Sequence, residues 1–121
     1  MRMIMAVVLA MTASVSVAMA DEIEDAHRQA ISGRDSYWNC LAQEYTQGTS
    51  KSMSDQDFTL HIASVCPSER QNFRASLVDY LTMQFPSVDA GDHMTTANNA
   101  IALAQKDIVT AFVRHKESAK K

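Results

Sequence analysis

Cys40 and Cys66 are the two cysteines of this 121-residue chain, about 26 residues apart. Redox-active pairs sit close together as Cys-x-x-Cys, and this pair does not. Two cysteines with scattered histidines also lack a zinc-ligand spacing. The chemistry expected of them is one structural disulfide, formed in an oxidising compartment. Closing a loop of that length is worth roughly 3.5 kcal/mol, a large share of the ~5–15 kcal/mol that holds a domain of this size.

Carboxylates and histidines recur at helical spacing. Glu24 and His27 are three apart, and Asp57/His61 and Asp89/His93 are four apart. Each pair shares a helix face and has the residue types to hold a metal. Di-iron bundles use Glu-x-x-His twice, with further glutamates on facing helices; here that motif occurs once. Each carboxylate also lies in or before an expected first turn, where the helix dipole favours it. There is no Gly-x-Ser-x-Gly elbow and no glycine-rich phosphate loop. The expectation is therefore no metal, no cofactor and no catalytic residue.

Four charged residues stand in unexpected places. Arg34 falls within the apolar arc of the first helical segment, between Tyr37 and Trp38 in angle. Arg70 and Arg74 fall within the apolar arc of the third, and Glu44 lies on the inner side of the first, one turn past Cys40. A Cys40–Cys66 bridge would bring Arg70 within about 12 Å of the stretch Arg34 to Glu44 by helix rise. The expected outcome is an ion pair of Glu44 with Arg70 or Arg74, while Arg34 lies over Trp38 and reaches to water. The alternative is an arginine pocket for a carboxylate or phosphate, since guanidinium suits both.

The elements that position these residues are helices. With 3 Gly and 2 Pro, the chain shows four amphipathic segments separated by turn signals. The first spans about Glu22 to Gln47, with Asp21, Glu22, Glu24 and Asp25 suited to its N-terminus. Its inner face carries Ile23, Ala26, Ala30, Ile31, Tyr37, Trp38, Leu41 and Tyr45. Tyr37 and Trp38 are 100° apart, so one of them flanks the core rather than filling it. Gly33 inside this segment permits close approach of another helix at a cost of about 1 kcal/mol. The second spans Asp55 to about Val65 with Ser54 as N-cap, and Pro67 ends it by moving Cys66 away from the helical region. The third spans about Pro67 to Phe85, stopped by Pro86. The fourth spans about His93 to His115, with an edge of Ala97, Ala100, Ala104 and Ala111 small enough for close packing. A basic tail, about residues 116–121, follows and is expected to fray. The fold class is all-α: a small four-helix bundle with one disulfide.

Residues 1–20 differ from the rest. Arg2 supplies a positive start, Met3 to Met11 an apolar core, and Ala18-Met19-Ala20 a small-x-small cleavage site. A cleaved signal peptide over residues 1–20, followed by a single helical domain over 21–121, is the expectation, with periplasmic or secreted localisation. Removing Arg2, the one charged residue of that leader, takes the formal net charge from −3 to −4. A chain this acidic is not a general nucleic-acid binder, and no further apolar segment of membrane-spanning length follows the leader.

Trp38-Asn39-Cys40 is similar to the Trp-x-Cys near the start of the HdeA-type periplasmic acid-stress chaperones. The stretch Ile62 to Cys66, with Arg70, Gln71 and Phe73 after it, resembles the region of their second cysteine. The likeness covers about 20 residues. The chain departs from that pattern in its shorter spacing between cysteines and its long fourth helix. The resemblance implies a holdase that exposes apolar surface in acid to bind unfolding clients.

The leading expectation is a small exported, non-enzymatic helical protein that acts by binding a protein partner. Leu60 and Leu103 project from otherwise polar faces; single exposed leucines need no explanation, and the other reading is that together with the flanking aromatic they form a partner surface. The alternative is the HdeA-like holdase. A small-ligand or metal-binding protein or enzyme comes third.

Overall fold

The computed structural model describes residues 12–47 and 50–119, with side chains given from Ala18 onward and not at Ser50. Helix α1 spans Thr12–Thr46, α2 Asp55–Ser64, α3 Pro67–Gln84 and α4 Ala90–Ala119, with a short 3-10 turn at Ser50–Ser52 before α2. There is no strand among the described residues.

Three boundaries differ from the sequence expectation, the smallest at the start of α4, which begins at Ala90 and not at about His93. Helix α1 begins within the proposed leader and runs through Ala20 and Asp21 without a break. The acidic group Asp21 to Asp25 therefore lies inside the helix and not in its first turn. The intervening residues, alanine-rich and without Gly or Pro, offer no stop signal. The leader's first 11 residues lie outside the described ones. At the other end, α4 continues to Ala119 where a frayed tail was expected. Lys116 anchors it: Nζ donates to Met53 O and to Asp55 Oδ1, each at 3.1 Å, and lies 5.2 Å from the Phe112 ring centroid.

The register of the contacts gives the arrangement. Tyr37 meets Gln105 and Tyr45 meets Phe112, so α1 and α4 run parallel. His27 meets Tyr80 and Tyr37 meets Phe73, so α3 runs antiparallel to α1. Phe58 meets Phe112 and Asp55 meets Lys116, so α2 runs antiparallel to α4. Thus α2 lies beside the C-terminal ends of the long pair and α3 beside their middle and N-terminal parts. The α2–α3 break is local. Val65 is extended, Cys66 is left-handed (φ 58°, ψ 47°) and Pro67 opens α3. Cys66 is thus out of the right-handed helical region, as the following proline requires; the left-handed turn it adopts costs a residue with a Cβ about 1–2 kcal/mol. The Cys40–Cys66 disulfide closes at that turn with 6.2 Å between Cα atoms.

The core is built from Tyr37, Leu41, Phe58, Ile62, Phe73, Ile101, Ala104, Ile108 and Phe112. Tyr37 is fully buried, and its hydroxyl accepts from Gln105 Nε2 at 2.9 Å, which satisfies the phenol inside the core. Trp38 is half-buried and is thus the flanking aromatic. Along the alanine edge, Ala97 and Ala104 are buried and Ala100 half-buried, while Ala111 is exposed, outside the contact expected for it. Ser54 caps α2 by accepting from Asp57 N at 3.1 Å.

Gly33 sits where α1 and α3 come closest. A Cβ there would lie 2.8 Å from Ser76 Oγ and 3.1 Å from Phe73 Cα. The Ser76 hydroxyl is already donated to Asn72 O at 2.7 Å, and the Phe73 backbone is fixed in mid-helix. Gly33→Ala should gain about 1 kcal/mol of helix propensity and lose more through overpacking, which typically costs about 1–3 kcal/mol. Chemical denaturation should therefore show a net loss of about 1 kcal/mol. A net gain would mean the two helices separate freely at this point.

Candidate functional site

The charged residues singled out in the sequence do not converge. Glu44 Oε2 is 2.9 Å from His61 Nε2 in a partly buried contact between α1 and α2; Glu44 therefore pairs with a histidine, not with Arg70 or Arg74. Arg70 Nη1 donates to Ala63 O at 2.8 Å and reaches Val65 O at 3.5 Å. Those carbonyls belong to the end of α2, where a helix leaves acceptors unsatisfied, so Arg70 is a side-chain cap across the break. Arg74 Nε donates to Asn98 Oδ1 at 2.9 Å, and its Nη1 to Gln71 Oε1. Arg34 pairs with its exposed neighbour Asp35 at 3.1 Å. Each arginine satisfies a different acceptor, so neither the expected ion pair nor a shared anion pocket is formed.

The histidines of the carboxylate–histidine pairs each contact another residue. Glu24 binds Arg28 at 3.1 Å. That hydrogen bond, then the charges of Glu24 and Asp25, raise the Arg28 pKa above its ordinary value. His27 lies against Tyr80, ring centroids 4.7 Å apart. His61 bonds Glu44 through Nε2. His93 is buried, and its Nε2–H donates to Phe85 O at 3.0 Å, tying the start of α4 to the end of α3. Cys40, Cys66 and Glu69 bring potential ligand atoms within 4.8 Å of one another. The two sulfurs are covalently joined, however, and cysteine binds a metal as the thiolate.

What the fold does assemble is an apolar groove. Arg34 and Trp38 of α1, Phe73 of α3 and Ala100, Leu103 and Asp107 of α4 line a depression of about 330 Å³. A smaller depression of about 180 Å³ lies beside it between α1 and α3, lined by residues including Ile31, Leu77 and Tyr80; Arg34 and Phe73 border both. Leu103 is 58% exposed at the edge of the groove. Leu60 is 64% exposed on α2 and is not among the residues lining it. Sequence reasoning nominated both leucines and the flanking aromatic; the structure joins Leu103 to Trp38 and leaves Leu60 apart. Ile31, Leu77 and Asp107 were missed as groove residues, because helical periodicity assigns a face but not the gap between two neighbours.

The sequence matches no protein family, no curated protein and no solved structure. No described helix is long and apolar enough to cross a membrane.

Proposed function

We propose that the chain is a small exported, non-enzymatic helical domain that docks a protein partner in the α1–α3–α4 groove. The observation that carries this reading is Leu103, more than half exposed, standing beside a half-buried Trp38 in an open depression. Tryptophan and arginine are the residue types that most often anchor protein interfaces, inside a polar rim, and Arg34 and Asp107 supply both signs of charge at the edge. A disulfide suits an oxidising compartment, and residues 1–20 have the pattern of a signal that would deliver the chain there.

Leu103→Asp tests the reading. The side chain is on the surface, so stability should change by about 0.5 kcal/mol or less. Capture of one defined partner from an extract of exported proteins should be lost in the variant and retained in Leu60→Asp. Equal capture by both variants would refute the groove as the docking face.

An acid-stress holdase is the second reading. It is favoured by a cap of exposed apolar residues, Met83, Phe85, Val88 and Met94, around the α3–α4 turn. A holdase would lose its near-UV circular dichroism and bind a hydrophobic dye at about pH 2–3, as acid-expanded states do, while suppressing aggregation of unrelated proteins. A docking domain would keep its fold there.

A further inference from the structure

At the end of the molecule where α1 and α4 both finish, there is a cavity of about 400 Å³. Its lining includes Tyr45, Phe112, His115, Lys116 and Ala119, with Lys51 of the 3-10 turn. The size is within the ~300–1,000 Å³ usual for small-molecule sites. The walls are mostly hydrocarbon and they are braced. Tyr45 stands edge-on to Phe112 at 6.5 Å and to His115 at 5.7 Å. Phe112 is stacked on Phe58 at 3.9 Å behind it.

The lysines in the lining of this hollow are Lys51 and Lys116, beside the neutral hydroxyls of Tyr45 and Thr46. Lys116 Nζ is held at the Phe112 face by Met53 O and Asp55 Oδ1. An ammonium has three N–H groups, and two of them have these oxygen acceptors. Lys51 is exposed and makes no ion pair among the described residues. No described carboxylate lines the cavity; the nearby Asp55 is occupied by Lys116. An apolar hollow with cations at its mouth and no acid selects a ligand with a hydrocarbon body and an anionic head.

We propose that this cavity binds an amphiphilic monoanion of the medium-chain carboxylate type. The hydrocarbon body lies against Tyr45 and Phe112, and the carboxylate meets Lys51 and the Lys116 ammonium. The site is separate from the Trp38–Leu103 groove and does not depend on it.

Decanoate, below its micelle concentration, is the probe, titrated calorimetrically into the folded full domain. One saturable site is expected, with decyltrimethylammonium bound at least tenfold more weakly. Lys51→Glu should weaken decanoate by about tenfold, the size of one lost charge-assisted hydrogen bond, while Lys51→Arg should keep the affinity. Ala119→Trp, which fills the mouth, should weaken it without lowering the melting temperature. Amide shifts should centre on Tyr45, Phe112 and His115. Absence of saturable binding, equal affinity for the cationic amphiphile, or shifts centred on Trp38 and Leu103 would each overturn the proposal.

Discussion

Cys40→Ala with Cys66→Ala should lower the unfolding free energy by about 3.5 kcal/mol, the chain entropy released when a loop of this length is opened. At about 4–8 °C per kcal/mol for a domain of this size, the thermal midpoint should fall on the order of 20 °C. The location of the bridge makes it more than a generic staple. It joins the C-terminal part of α1 to the one left-handed non-glycine residue described, between two helices. Without the bridge, Cys66→Ala still has to adopt that left-handed turn. Cys40→Ala with Cys66→Gly should therefore recover up to about 1 kcal/mol of the loss, because glycine adopts φ near +60° without a Cβ clash. Circular dichroism melts of the two double variants check both numbers. Intact mass under non-reducing conditions checks the bridge itself, through the two hydrogens lost on oxidation. A midpoint shift of only a few degrees would mean that packing alone fixes the α2–α3 break.

Phe58→Ala should cost about 4 kcal/mol. Its ring is fully buried and stacked on Phe112 at 3.9 Å, and truncating a buried phenylalanine typically costs about 3–5 kcal/mol. The loss should be concentrated in α2. That helix has 10 residues, well under the ~12–15 at which an isolated helix is even marginal in water, so it depends on its buried face, Phe58 and Ile62. Hydrogen exchange should show the amides of α2 losing protection while those of α1 and α3 keep theirs. A loss below about 1.5 kcal/mol, or uniform loss of protection, would contradict the view that this ring anchors α2.

Much of the fold was legible because local signals agreed. Pro67 and Pro86 bounded α3, Ser54 capped α2, and Gly33 marked the close α1–α3 approach. The continuation of α4 past His115 was not legible, because what holds it is a long-range partner. Lys116 looks like a solvated tail residue until Asp55 and Met53 O are placed beside it. The Glu44 partner was misread for a geometric reason. Helices that cross at a disulfide and run antiparallel pair residues that move outward in opposite senses from the two cysteines. Four residues past Cys40 lies Glu44, and five before Cys66 lies His61. Counting onward from Cys66 to Arg70 assumed that α3 lies beside Glu44, where α2 is. Arg70 instead serves the carbonyls at the end of α2, a role with no sequence signature, because any helix end with a nearby cation can recruit it. The groove was half legible: Trp38 and Leu103 were suspects, but their proximity depends on α1 and α4 running parallel.

Photocrosslinking from position 103 tests the central claim, that the α1–α3–α4 groove docks a protein. A photoreactive phenylalanine analogue at Leu103 should give one defined crosslinked species in the cells that make the protein. The same analogue at Leu60, equally exposed but on α2, should give none. Crosslinks from both positions, or from neither, would contradict the account.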